Sequence, residues 1–89
     1  VTTIVQLEAA LATLDPGHLA IQDDSALHAG HAGNTGGGHY TVTIVCTKFD
    51  GLSLLKRHHL VYDAASALMK HDIHALSIQA KTPKEYQTD

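Results

Sequence analysis

Tryptophan is absent from this 89-residue sequence, and phenylalanine and cysteine occur once each. A lone cysteine, Cys46, excludes an intrachain disulfide. A thiol in the middle of an apolar stretch points to a reducing compartment. With so few aromatics the core has to be aliphatic. No apolar run approaches the roughly 20 residues a membrane-spanning helix needs, and no stretch reads as a signal peptide. A cytoplasmic location is therefore expected, with an organelle matrix as the other option. Cations are scarce too: 6 Lys and Arg stand against 9 Asp and Glu, for a formal charge of −3. A strong grip on nucleic acid needs clustered cations, which this balance does not supply. The length implies one domain, residues 1–89, burying only roughly 60–65% of its unfolded surface. No serine sits in a nucleophile elbow and no glycine-rich loop precedes a helix, so the residues give no footing for an enzyme. Cys46 reads as a small buried hydrophobe rather than a nucleophile. Asp23 and Asp24 read as a solvated strand end rather than an acid–base pair.

Histidine, by contrast, is abundant, with 8 residues in the chain. Mild acidification would swing such a chain towards positive charge. Three of them, His28, His31 and His39, fall in "LHAGHAGNTGGGHYTV", which also holds five glycines. The segment 25–38 is longer than most hairpin connections, and loops of that length are usually functional or disordered. A mobile Gly/His-rich loop is expected there. Before it, "IVQLEAALATL" places Ile4, Leu7, Ala10 (or Leu11) and Leu14 at helical spacing behind a threonine cap, and Asp15-Pro16-Gly17 ends the helix. "HLAIQDD" alternates as a strand with Leu19 and Ile21 on one side. "HYTVTIVCTKF" is the clearest strand, with Tyr40, Val42, Ile44 and Cys46 on one face. Phe49-Asp50-Gly51 is a turn. Ser53 caps a long helix over "LLKRHHLVYDAASALMKHD", with Leu54, Val61, Ala65 and Leu68 as its buried stripe and His58 on the same side. "HALSIQA" is a third strand with Leu76 and Ile78 inward. Thr82 caps a last short helix begun by Pro83. The order is α-β-β-α-β-α. An α+β fold follows: a three-stranded mixed sheet with helices on one face, its last two strands parallel across the second helix.

Two H-x-x-H pairs stand out: His28 with His31, and His71 with His74. Neutral imidazole is a common metal ligand, and four such nitrogens would suffice for a zinc site. Without cysteine or acid partners the spacing alone is a loose pattern. His39 could simply edge the sheet. His18 and His59 read as surface residues, and His58 as a satisfied core histidine.

The second half of the chain resembles the BolA family. The family signature is an apolar pair, R-H-x-x-V, a helix, and I/V-H-A-L before the last strand. Here these are Leu54-Leu55, Arg57-His58-His59-Leu60-Val61 and Ile73-His74-Ala75-Leu76. "DDSALHAGHAG", "HYTVTIV" and "KFDGLSLL" are similar to the family's first half, so the likeness runs from about residue 4 to 86. The resemblance implies a fold similar to a class II KH domain, although no G-x-x-G loop is present to clamp RNA. It implies an adaptor that pairs with a monothiol glutaredoxin and shares a bridging 2Fe–2S cluster, in cluster trafficking or iron regulation. The partner's cysteine and a glutathione thiol would hold one side. His74 would be the ligand from this chain, with His28 or His31 as the second. Imidazole ligands reduce the site's negative charge and raise its potential. Protonation competes with iron at such ligands. Arg57, His58, Lys81 and Lys84 are the expected partner interface, and the free protein is expected to be a monomer or weak homodimer. The family also implies a second reading, a DNA-binding transcriptional regulator acting through Lys56, Arg57 and His58 of the long helix. A self-contained zinc site is a third.

Overall fold

The computed structural model describes residues 3–25, 38–70 and 72–88. Helix α1 (Thr3–Leu11) tightens into a single 3-10 turn over Ala12–Leu14. Leu7, Leu11 and Leu14 are its buried residues, so Leu11 rather than Ala10 faces the core. Asp15 ends the helix in the left-handed conformation, at φ 54°, and its N–H donates to the Ala12 carbonyl at 2.9 Å. Short polar side chains tolerate this conformation.

Strands β1 (His18–Asp23) and β2 (Gly38–Val45) pair antiparallel, and β2 pairs parallel with β3 (Ile73–Lys81), giving the order β1-β2-β3. The expected mixed three-stranded sheet is what forms. Tyr40, Val42 and Ile44 of β2 point into the core with Leu76 and Ala80 of β3, against Leu7 and Leu11 of α1 and Val61 and Ala65. Leu19, Ile21 and Ile78 pack at its margin. The opposite sheet face carries Thr41, Thr43, Ser77 and Gln79 and is more exposed.

The strand expected to run through Cys46 to Phe49 stops at Val45. Thr47–Phe49 form a 3-10 turn, because the Cys46 sulfur accepts the Lys48 N–H at 3.4 Å and the turn swings Phe49 into the core. Cys46 itself is 1% exposed and donates its S–H to the Leu14 carbonyl at 3.0 Å. It is the inert buried thiol that its sequence position suggests.

The helix expected over residues 54–72 is broken. Helix α2 (Leu54–Ala64) starts at Ser53, whose hydroxyl accepts the Lys56 N–H at 3.2 Å; the chain leaves helical geometry at Ala65, and α3 (Ser66–Met69) follows. Neither glycine nor proline marks the break. The buried stripe also differs in its first turn: Leu54 is 64% exposed, and the inward position is Arg57, followed by Val61 and Ala65. An arginine can take a core-facing place when its stem packs on apolar neighbours and its head is fully paired.

Each of the three guanidinium nitrogens has a partner. The Arg57 Nε–H donates to the Leu52 carbonyl at 3.0 Å, and Nη1 donates to the Ala80 carbonyl at 3.1 Å. Nη1 and Nη2 also donate to the two Glu85 carboxylate oxygens at 2.7 and 3.2 Å. Glu85 lies in α4 (Pro83–Thr88), where it accepts the Thr82 N–H at 2.9 Å while its own N–H donates to the Thr82 hydroxyl at 3.2 Å. This reciprocal cap is what T-x-x-E spacing produces at a helix start. Further along α4, the Tyr86 ring stacks on His18 of β1, with centroids 5.0 Å apart.

The Arg57 guanidinium, followed by the Thr82 N–H, pulls the Glu85 carboxyl down to about 2 from its ordinary 4.5. The unfolded carboxyl takes up a proton near 4.5, and the folded one resists until about 2. The pair's contribution is therefore whole above about pH 5 and fades as the pH falls towards 2. Acid unfolding of Glu85→Gln, followed by circular dichroism, should show a shallower loss of stability across that window than the parent.

Candidate functional site

The β2–β3 pairing contains a bulge. Gly38 pairs with Ile73 and His39 with Ala75, so His74 is an extra residue on β3. Strict alternation from Leu76 would turn His74 inward and Ile73 outward. The bulge reverses this: Ile73 is 3% exposed and buried in the core, while His74 is exposed. Bulges are rare between parallel strands, and they re-aim a side chain where function needs it.

The re-aimed ring meets another imidazole. His39 is half-buried near the start of β2, and its ring centroid lies 5.1 Å from that of His74, with the planes tilted by 49°. The backbone around His39 is firmly held. Its N–H donates to the Ser25 hydroxyl at 3.1 Å, and its carbonyl accepts the Asp24 N–H at 2.7 Å. The Ser25 N–H in turn donates to the Asp23 carboxylate at 2.9 Å, and bonds from Ser25 hold that carboxyl below its usual range. Asp24 is turned along the sheet, accepting the Thr41 hydroxyl at 2.5 Å and the Gln22 amide at 2.8 Å. Asp23 and Asp24 thus secure the end of β1, where segment 26–37 leaves the described fold.

Gly38 sits beside this pair, and its N–H donates to the Asp72 carbonyl at 2.9 Å. A Cβ at Gly38 would be built into the ring of Tyr40, which is 8% exposed. Only glycine fits there. Gly38→Ala should displace the Tyr40 ring and cost about 1–3 kcal/mol, the usual range for overpacking. Urea denaturation reads the loss.

The other candidates fall elsewhere. His28 and His31, and the mobile loop expected to carry them, lie outside the described residues, as does His71, so of the four imidazoles of the zinc reading only His74 is described. Among the described residues no group of three or more His, Cys, Asp or Glu side chains gathers in one place. Arg57, His58 and Lys81 do come together, with Leu54, Ile78 and Glu85, around a groove of about 440 Å³ between α2, β3 and α4. Arg57 is turned inward there, onto Glu85 and two carbonyls. Lys56 and Lys84 are exposed. His59 is exposed, as expected, and His58 is half-buried at the groove. The edge carbonyls of β3 are also occupied from α2, Leu76 by the Tyr62 hydroxyl at 3.2 Å and Ala80 by Arg57.

From its sequence position His39 is only an edge residue, and strand alternation by itself does not reveal the bulge. A signal existed in "DIHAL": Ile73 and Leu76 are both apolar but three apart, which no uninterrupted two-residue alternation allows.

Comparisons with known proteins agree with this architecture. The description of the BolA-like protein family matches residues 11–85. The chain is 47% identical over 78 residues to "SufE-like protein 1, chloroplastic/mitochondrial" of Arabidopsis thaliana, covering 81% of this chain and 21% of that protein. It is 46% identical over 76 residues to "Protein BOLA1, chloroplastic" of the same plant, covering 81% of this chain and 48% of that one. The chain thus spans half or less of the length of these curated relatives. A bacterial relative, "DNA-binding transcriptional regulator BolA" of Haemophilus influenzae, is 32% identical over 72 residues, covering 81% of this chain and 68% of that protein. Among solved structures, the BolA domain of SufE1 from Arabidopsis thaliana superposes with a TM-score of 0.81 at 42% identity, covering 96% of this chain and 98% of that one. No helix among the described residues is long and apolar enough to cross a membrane.

Proposed function

The chain belongs to the BolA-like protein family, and from that premise we propose that it is a non-enzymatic adaptor that binds a monothiol glutaredoxin and co-ligates a bridging 2Fe–2S cluster. The observation that carries this reading is His74: an exposed imidazole brought out of the strand's alternation by a bulge. A ligand for a cluster that arrives with another molecule has to be accessible in the free chain, and this one is. Nitrogen donors of this kind replace thiolates on one iron of known 2Fe–2S centres. His74 would hold that iron together with His28 or His31. His28 is three residues past Ser25, and three residues of extended chain span at most about 10 Å. The cluster, when bound, supplies a one-electron couple and a labile iron–sulfur unit for transfer. The residues of this chain cap and position it.

The test is titration of the chain with a cluster-loaded monothiol glutaredoxin. The visible absorption and circular dichroism of the cluster should change, and a one-to-one heterodimer should form. An unchanged spectrum with no heterodimer would overturn the reading. The location proposed with this reading is the cytosol or an organelle matrix.

The second reading, a DNA-binding regulator, is favoured by the printed names of two bacterial relatives, 32% and 30% identical to this chain. Its cations on α2 reduce to Lys56, flanked by His58 and His59, because Arg57 is engaged with Glu85. Salt-sensitive retardation of duplex DNA that is lost in Lys56→Ala would favour it.

A further inference from the structure

We infer that β1 is a self-association edge: two copies of this chain join β1 to β1, antiparallel about a two-fold axis, into one continuous sheet. The two borders of the sheet differ. That of β3 is covered, its Leu76 and Ala80 carbonyls held by Tyr62 and Arg57. β1 is the other border, and it carries none of the devices that usually blunt an edge. His18–Asp23 holds no proline, lysine or arginine, and its register with β2 runs through six pairs without a bulge. Among the described residues no side chain bonds the outward backbone groups of Leu19 or Ile21. With β3 closed, edge pairing between copies can only be β1 with β1. Such a contact is isologous, so it stops at a dimer instead of running on into a filament.

The strand's own pattern sets the register and favours a second copy over an unrelated strand. The Asp24 N–H points inward, donating to the His39 carbonyl. Backbone groups alternate along an antiparallel strand, so those of Leu19, Ile21 and Asp23 point outward. A two-fold axis through Ala20 sets Leu19 of each copy opposite Ile21 of the other. Each of these pairs exchanges both of its N–H···O bonds. Leu19 and Ile21 are half-buried at the margin of the core, so the pairing covers apolar surface that one copy leaves at its border. On the outer face exposed His18 meets Gln22, polar against polar. Ala20 meets itself at the axis, where the Cα atoms approach to about 4.5 Å and a small side chain fits. An axis through Ile21 would instead set apolar Leu19 against the Asp23 carboxylate. The contact spans one short strand, far less than a standard interface, so its dissociation constant is on the order of 0.1–1 mM.

The test is analytical ultracentrifugation of the chain alone from about 20 µM to about 1 mM, a span that brackets this affinity. The mean mass should climb from one chain towards two and stop there, while hydrogen exchange at the Leu19 and Ile21 amides slows. Ala20 is exposed, so Ala20→Lys and Ala20→Glu leave the fold intact, which circular dichroism checks. Each variant sets like charges opposite one another at the axis and should weaken association about tenfold or more. Mixed in equal amounts, the two variants should pair with each other again. A mass that stays at one chain at the top of the range would overturn the inference. So would growth beyond two chains, parent-like association of either variant alone, or a mixture that associates no better than its components. β1 lies across the sheet from His74, so a failed glutaredoxin titration would leave this edge untouched, and a monomer at every concentration would leave the cluster-sharing reading standing.

Discussion

Replacing Arg57 with alanine is expected to cost about 3 kcal/mol of folding stability, since it strips bonds from the part-buried Leu52 carbonyl and the buried Ala80 carbonyl and leaves the exposed Glu85 without its cation. The guanidinium makes four hydrogen bonds to three residues far apart in sequence. It ties the loop before α2, the edge of β3 and the C-terminal helix to one point. A small domain has only about 5–10 kcal/mol in total, and each kcal/mol shifts the melting temperature by roughly 4–8 °C at this size. The variant should therefore melt well over about 10 °C lower, with an unchanged denaturant slope if two-state unfolding persists. Arg57→Lys should recover little. One ammonium cannot span a bidentate carboxylate and two carbonyls in different directions. A melting temperature within a few degrees of the parent would show that the carbonyls find water or other donors.

The second large effect concerns His74. Under the proposed function, His74→Ala abolishes the spectral change seen on mixing with a cluster-loaded glutaredoxin, while leaving folding stability within about 0.5 kcal/mol, as expected of an exposed position. His74→Cys should retain a cluster, because thiolate is the stronger ligand, but with a more negative potential. His28→Ala and His31→Ala should differ from each other, and the larger effect names the second ligand. Acid should release the cluster from the parent more readily than from His74→Cys, since imidazole protonation competes with iron. A histidine-type spectrum surviving in His74→Ala would move the ligand elsewhere in the chain.

These two residues also mark how far the sequence could be read. The strands were legible because β2 alternates cleanly from Tyr40 to Ile44, and α1 because Leu7, Leu11 and Leu14 keep one face. The family was legible because R-H-x-x-V and I-H-A-L occur together in order. The inward turn of Arg57 was not, since its partner Glu85 is 28 residues away and periodicity counts arginine as polar. For the same reason Leu54 was expected in the stripe that Arg57 occupies. The His39–His74 pairing depends on a register shift between two strands separated by two helices. Local spacing carries no trace of that register beyond the odd interval between Ile73 and Leu76. The break at Ala65 has no local cause visible in the residues around it.

The two side chains that α2 lays on the β3 carbonyls have a consequence for behaviour in concentrated solution. β3 borders the sheet, and an uncovered border invites a neighbouring molecule to add its own strand. Tyr62 and Arg57 close that border at Leu76 and Ala80. A chain that has lost both should polymerise edge to edge as its concentration rises, which light scattering of a concentration series reads.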